Sequence, residues 1–304
     1  MSTFKLEFVT PLFSRGAYED RPEIRPASIR GQLHWWFRAL GGVYADEKAI
    51  FGAVHHGNIA SKIVVRVNHV DGKTGWRATL PHKPAGRDQF TGPNAPKAAF
   101  LPGASFNLHC QERLGGFETA GQREGFAKTI ETWLLLGSLG LRATRGGGSF
   151  KWEPLADTAL RYPVSFAEYE ARCAALLRGS LLRVALLETA YPNTELARRV
   201  ITDTLGGPDR GDELPELKAL NWPLGDVASR KQREQDPSRK ERKTSPLRLR
   251  VVAVGEEFRI AAVWDGRTEV TGNRPADLEK LIRLLVERKP ALGQQLASSC
   301  LARG

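Results

Sequence analysis

The stretch Ser28-Ile-Arg-Gly-Gln-Leu-His-Trp-Trp-Phe-Arg-Ala-Leu-Gly-Gly42 has the pattern of an amphipathic helix in this chain of 304 residues. Its apolar side chains recur at the spacing that places them on one helical face: Ile29, Leu33, Trp36, Phe37 and Leu40. Ser28 is a good N-cap, because its hydroxyl can accept a hydrogen bond from an amide of the first turn. Gly41 can adopt the left-handed conformation that ends a helix. We therefore predict a helix over 28–42 with one buried side.

The other side of this helix carries basic groups, an indole and a glycine. Arg30, His34 and Arg38 follow at four-residue intervals and form a row, and Gly31 and Trp35 fall near it. A glycine within a helix costs about 1 kcal/mol relative to alanine, so it favours a place where another backbone comes close. This set suits a sugar-phosphate chain with a base to stack. The alternative is a partly buried helix with solvated arginines and a Trp that covers a neighbouring loop.

Composition and charge narrow the function classes. The net charge is +11 and the pI is about 9.8, as is typical of nucleic-acid-binding proteins. The three cysteines lie far apart with no CxxC pair, which favours reduced thiols over disulfides or a zinc ribbon. The sequence has no signal-peptide pattern and no apolar run long enough for a membrane span. We therefore expect a cytoplasmic protein without metal, cofactor or membrane contact.

The remaining periodicity predicts an α+β protein. In the first half, strands and helices are expected in this order: strand 4–12, the first helix, strand 61–70, strand 100–110, helix 122–139 and a short strand at Phe150. This order is close to the βαββαβ arrangement of a ferredoxin-like domain. The second half predicts helices at 166–177, 193–205 and 276–288 and a hairpin over 246–264. Residues 230–243 hold seven Lys or Arg, three acids and no apolar side chain, as expected of a mobile linker.

A run of three glycines follows the second predicted helix. Gly146, Gly147 and Gly148 come after Arg142 and Arg145. Phosphate-binding loops of nucleotide sites precede a helix and use its positive end, whereas this loop follows one, so the arginines would supply the positive charge. The run indicates either a tight turn packed on the first helix or the floor of a polyanion groove whose amides point into a shared concavity. The neighbouring basic helix favours the groove.

Five short motifs are similar to those of the RAMP superfamily of CRISPR proteins, and within it to the first subunits of type III-B (Cmr) effector complexes: 8–13, 25–38, 50–52, 101–103 and the glycine loop. Residues 245–250 resemble a strand of the second domain of those subunits. The resemblance implies two ferredoxin-like (RRM-like) domains packed across a basic cleft. The expected domains are 1–155, with the glycine loop, and 156–304, with helical insertions and the basic mobile linker.

The resemblance also implies a function. It indicates a non-catalytic RNA-binding subunit of a CRISPR ribonucleoprotein that serves antiviral defence, with guide RNA, target RNA and other RAMP subunits as partners. The candidate RNA-binding residues are Arg25, Arg30, Gly31, His34, Trp35, Arg38, Arg142, Arg145, Gly146, Gly147 and Gly148.

Two other functions stay open. One is a metal-independent endoribonuclease in which His34 acts as general acid or base, although the sequence indicates no partner acid for it. The other is a structural subunit whose basic surface meets acidic protein partners.

Overall fold

The computed structural model of the chain describes residues 2–18, 20–54, 58–81, 96–113, 115–155, 158–206 and 246–265. The predicted linker 230–243 and the predicted helix 276–288 lie outside the described residues.

The described part of the first half contains six strands and three helices: β1 (Ser2–Phe8), α1 (Pro26–Ala39), α2 (Tyr44–Phe51), β2 (Ile63–Asp71), β3 (Thr74–Arg77), β4 (Lys97–Phe100), β5 (Ser105–Glu112), α3 (Ala120–Leu136) and β6 (Phe150–Pro154). The described part of the second half contains α4 (Phe166–Leu177), β7 (Leu182–Leu186), α5 (Thr194–Gly206), β8 (Leu247–Val254) and β9 (Glu257–Asp265). The protein is thus α+β, and all of its described strand pairs are antiparallel.

The main sheet of the first half has the strand order β2-β5-β1-β6. Alternation along β1 buries Phe4, Leu6 and Phe8 completely, because successive side chains of a strand point to opposite faces. These three side chains share one core with Trp36 of α1 and Trp133 of α3. Strands β3 and β4 form a separate two-stranded hairpin. Setting aside this hairpin and the short α2, the first half follows the βαββαβ order.

Within the described residues of the second half, three strands form a sheet with the order β7-β9-β8. Its hairpin turns at Gly255, which has a positive φ of 59°, so the predicted hairpin is confirmed. The predicted helices at 166–177 and 193–205 are confirmed as α4 and α5. Residues of α4 and β9 join the core of the first half, so the two halves pack on each other.

Buried arginines from the second half bind backbone carbonyls of the first. Arg250 in β8 is 2% exposed and donates to the carbonyls of Leu134, Leu135 and Phe150. Arg198 in α5 donates to the carbonyls of Ala78 (3.1 Å) and Thr79 (3.0 Å). A buried guanidinium needs such acceptors, because an unpaired buried charge is costly.

The first helix starts earlier than predicted. Arg25 occupies the N-cap position and Pro26 the first helical position, where proline is favoured because its missing amide hydrogen is not needed there. The expectation that Ser28 is the N-cap is therefore wrong. The end is confirmed: Gly41 has a φ of +91° and donates to the carbonyl of Arg38 (3.0 Å). The predicted buried side is confirmed for Ile29, Leu33, Trp36 and Phe37, whereas Leu40 is half-buried.

Candidate nucleic-acid interface

The exposed side of α1 carries the predicted basic row. The side chain of Arg38 is 61% exposed, and Arg25 at the start of the helix is also exposed. A Cβ added at the exposed Gly31 would meet no atom of the described residues within 4 Å. No described backbone therefore approaches this glycine, and the helix has an open position beside its arginines.

A carboxylate from α2 lies against this row. Glu47 is 8% exposed, and its Oε1 lies 2.8 Å from Nδ1 of His34 and 3.3 Å from Nε of Arg38. The inference that His34 has no partner acid is therefore wrong. Glu47 was missed because it belongs to the next helix. The available signal was its place in the first turn of α2, where the helix dipole favours an acid.

The environment of His34 lowers its pKa below the ordinary value of 6.5. Burial is the largest cause, because it disfavours the charged ring. The hydrogen bond to Glu47 and the negative charge of that carboxylate oppose burial, and the charges of Arg30 and Arg38 add to the lowering. The ring also packs on Phe51, with 4.1 Å between the ring centroids. His34 is therefore mostly neutral at pH 7 and is held by contacts on two sides.

Arg30 is more constrained than Arg38. Its Nη2 donates to the carbonyl of Phe51, the last residue of α2, and a cation at a helix C-terminus is favourable. Its Nε is buried and has no hydrogen-bond partner among the described residues. Arg30 therefore helps to hold α2 against α1, and only the remainder of its guanidinium is available to a ligand.

Trp35 joins the two halves of the protein. The guanidinium of Arg248 in β8 lies 3.6 Å from the centroid of the Trp35 ring, a cation–π contact, and burial lowers the pKa of Arg248 to about 10. The ring also packs edge-on against Trp36 at 5.0 Å. One face of Trp35 is thus covered, so base stacking stays a prediction for the other face only. The sequence reasoning missed Arg248, since an arginine alternating with leucine in a strand suggests a solvent-facing side chain.

The glycine loop differs from the expected groove floor. Each glycine amide donates to a backbone carbonyl: Gly146 to Leu249 (2.8 Å), Gly147 to Arg142 (3.0 Å) and Gly148 to Pro11 (2.9 Å). All three glycines are buried. The expectation that these amides point into a shared concavity is wrong, because β8, Arg142 and the segment after β1 already use them. The run is a tight turn, as the alternative had it, but it packs on these segments in place of the expected first helix.

The two arginines of the loop lie at the junction of the halves. Arg142 has a positive φ of 64° and is half-buried. Burial, followed by the charge of Arg142, lowers the pKa of Arg145 to about 10, and Arg145 forms a parallel bridge with Leu249. Since Trp35 contacts Arg248, which precedes Leu249 in β8, the structure brings α1 and the glycine loop to neighbouring positions of one strand.

Among the described residues, no group of three or more His, Cys, Asp or Glu side chains could hold a metal ion. None of the described helices combines the length and apolar character needed to cross a membrane.

Comparisons with known proteins agree with the resemblance. Residues 5–151 match the model of the RAMP superfamily. The Cmr subunit Cmr1-2 of Pyrococcus furiosus is 41% identical over 81 residues, which cover 24% of this chain and 42% of that protein. Subunit Cmr1-1 of the same organism is 28% identical over 174 residues, covering 49% and 44%. The matches thus span less than half the length of either relative.

Solved structures show the same fold. The crystal structure of apo Cmr1 from P. furiosus matches with a TM-score of 0.53 and 16% identity over 87% of both chains. A chain in the cryo-EM structure of the type III-B Cmr-beta complex bound to cognate target RNA matches with a TM-score of 0.56 and 10% identity, covering 86% of this chain and 94% of that one. Residues 5–151 are thus similar in sequence to the RAMP superfamily, and the chain resembles Cmr1 proteins in parts of its sequence and in its fold.

Proposed function

We propose that this chain is a non-catalytic, RNA-binding subunit of a type III-B CRISPR effector complex and that the exposed side of α1 contacts guide RNA, target RNA or both. The observation that carries the proposal is the exposure of Arg25 and Arg38 on the side of α1 that holds the open position at Gly31. It is made in a chain whose residues 5–151 match the RAMP superfamily and whose named relatives are Cmr subunits. The Cmr-beta structure that shares this fold holds target RNA, which supports RNA as the ligand.

The geometry of α1 suits a single-stranded backbone. Arg30 and Arg38 are eight residues apart, or about 12 Å along the helix axis, so both can contact phosphates of one strand. Arg38 offers the better contact because it is exposed, and guanidinium groups bind phosphate in a fork geometry. The open position at Gly31 lets a sugar-phosphate chain approach the helix closely. Arg25 extends the basic surface at the start of the helix.

We infer that both halves are ferredoxin-like domains, 1–155 and 156–304. The four-stranded order β2-β5-β1-β6 is that of a complete βαββαβ sheet, and β7-β9-β8 is the order of the first three strands of a second one. Such domains face each other across a cleft in the resembling family. The proposal places other RAMP subunits beside this chain, on the guide RNA, in the cytoplasm, in a complex that serves antiviral defence.

Removal of the Arg38 guanidinium tests the function. We expect Arg38→Ala to weaken binding of single-stranded RNA about fivefold, the equivalent of about 1 kcal/mol, and to reduce the slope of log K against log salt by about one unit. The measurement is a fluorescence-anisotropy titration at several salt concentrations. Arg178→Ala is the matched control, since Arg178 is also exposed but lies at the end of α4. Equal effects of both variants would contradict a site on α1.

An endoribonuclease is the second candidate, and the pairing of His34 with Glu47 favours it. A carboxylate that accepts from one ring nitrogen fixes the tautomer and the orientation of a histidine that acts as general base. Incubation of the purified chain with labelled RNA in the presence of a chelator tests this candidate. Cleavage that disappears in His34→Ala would replace the binding proposal with an enzymatic one, and intact RNA would support the non-catalytic subunit.

A further inference from the structure

The two side chains of α1 beside Glu47 contact it through their inner nitrogen atoms. His34 uses Nδ1 and Arg38 uses Nε, and both contact the same carboxylate oxygen, Oε1 of Glu47. The outer part of the Arg38 guanidinium and Nε2 of His34 have no hydrogen-bond partner among the described residues. The side chain of His34 is 25% exposed. Glu47 therefore leaves Nε2 of His34 and the outer nitrogens of Arg38, which are four residues apart on one row of α1, available to a ligand.

The contact with Glu47 also decides what His34 can do. A carboxylate only accepts hydrogen bonds, so Nδ1 carries the hydrogen that Glu47 receives. In the neutral ring, Nε2 then has a lone pair and no hydrogen, and it cannot donate to a phosphate oxygen. Protonation places a hydrogen on Nε2 and a positive charge on the ring. Because of this pairing, His34 can contact a phosphate only in its protonated form.

We propose that His34 and Arg38, positioned by Glu47, form one phosphate subsite that takes up a proton when RNA binds, so that RNA binding strengthens as the pH falls. This inference rests on the proposed function, in which α1 contacts RNA. Glu47 is a positioning residue here, since it contacts the two cations and not the phosphate. The ligand is a phosphate group of a single-stranded RNA.

The sign of the pH effect follows from the charges around the ring. The charged groups that act on His34 are Glu47 on α2 and Arg30 and Arg38 on α1. In the free protein, burial and the two arginines keep the pKa below 6.5, despite Glu47. A bound phosphate adds negative charge and a hydrogen-bond acceptor, which raise the pKa. The complex therefore binds more protons than the free protein, and its affinity must increase as protons become available.

The subsite predicts that removal of Glu47 changes RNA affinity in the direction opposite to that expected from its negative charge. Removing a negative charge from a basic surface normally strengthens RNA binding, because the net charge becomes more positive. We expect Glu47→Ala to weaken binding instead, since His34 and Arg38 lose the contact that orders them. Glu47→Gln keeps an acceptor oxygen for Nδ1 but removes the charge that raises the His34 pKa. This variant should retain binding at low pH and show its pH-dependent increase at a lower pH than the wild type.

The test is a set of RNA titrations on the full chain from about pH 8 to about pH 5.5, at constant ionic strength, with wild type, His34→Gln, Glu47→Gln and Glu47→Ala. We expect the wild-type affinity to increase about tenfold more over this range than that of His34→Gln, the limit for one proton being tenfold for each pH unit. Circular dichroism shows whether Glu47→Ala still folds, and Glu47→Gln provides the result if it does not.

Each outcome is decisive. A parallel pH dependence of wild type and His34→Gln, or tighter binding by a folded Glu47→Ala at every pH, would overturn the subsite while leaving RNA binding by α1 in place. The subsite would also be overturned, and RNA binding by α1 retained, if Arg38→Ala lost binding while His34→Gln kept the pH dependence of the wild type. A wild-type chain that binds no RNA at any pH would overturn the proposed function itself and the subsite with it.

Discussion

Replacement of Gly31 by alanine is predicted to raise the stability of the protein and lower its affinity for RNA. Gly31 is an interior residue of the 14-residue helix α1 and is exposed. A methyl group there would contact no atom of the described residues within 4 Å, so it adds no clash in the free protein. Alanine loses less backbone entropy than glycine on forming a helix, so the free energy of unfolding should increase by about 0.5–1 kcal/mol.

The same methyl group should interfere with RNA. If a sugar-phosphate chain lies against Gly31, the added carbon displaces it, and we expect a loss of about 1 kcal/mol, or about fivefold in affinity. Gly31→Gln should lose more RNA affinity, because its side chain is longer. Its favourable helix propensity keeps α1 stable in this variant. The measurements are urea denaturation for stability and an RNA titration for binding.

Gly121→Ala is the matched control for this prediction. Gly121 is also exposed and helical, near the start of α3, and an added Cβ would meet only Thr119 Oγ1 at 3.8 Å. This variant should be slightly stabilised and should bind RNA as the wild type does. Unchanged RNA affinity in both Gly31 variants would refute the contact at this position. A destabilised Gly31→Ala would refute the conclusion that no backbone needs that space.

Two further predictions concern the junction of the halves. Arg250→Met should lower the free energy of unfolding by about 3 kcal/mol, because the charged hydrogen bonds to carbonyls of the first half are lost. Urea denaturation measures this free energy. The control Arg178→Met, at an exposed position, should change it by less than about 0.5 kcal/mol. A double-mutant cycle of Trp35→Ala and Arg248→Ala should give a coupling energy of about 1–2 kcal/mol in the same assay, and a coupling near zero would contradict the cation–π contact.

Much of the fold could be predicted from the periodic spacing of apolar residues in the sequence. The buried stripe of α1, the helices α4 and α5 and the hairpin at Gly255 follow from the spacing of apolar residues and from glycine positions. Such patterns are local, because the side chains of one helix or strand face a common side. The predicted N-cap of α1, Ser28, follows the observed N-cap, Arg25. The prediction failed because Ser28 has the side chain of a typical cap, whereas the structure uses Pro26 as the first helical residue.

The candidate site was accessible only in part. The arginine row and the open glycine on α1 could be inferred from the sequence, because both depend on the geometry of a single helix. The contacts of His34 with Glu47 and of Trp35 with Arg248 could not be inferred from the sequence. Glu47 and Arg248 belong to other elements, which contact α1 only in the packed protein. The glycine run shows the same limit: its composition allows either free amides or a packed turn, and the carbonyls that accept from these amides decide between them.

The amino-acid pattern thus accounts for the α+β class, the order of the elements and the charge of the α1 surface, because each arises within a short segment. The tertiary structure decides which of these charges are available to a ligand. It orders the inner nitrogens of His34 and Arg38 on a carboxylate from the next helix and places Arg248 over Trp35. The physical reason is that a hydrogen bond or a ring contact requires atoms a few ångströms apart, and only the packing of distant segments sets those distances.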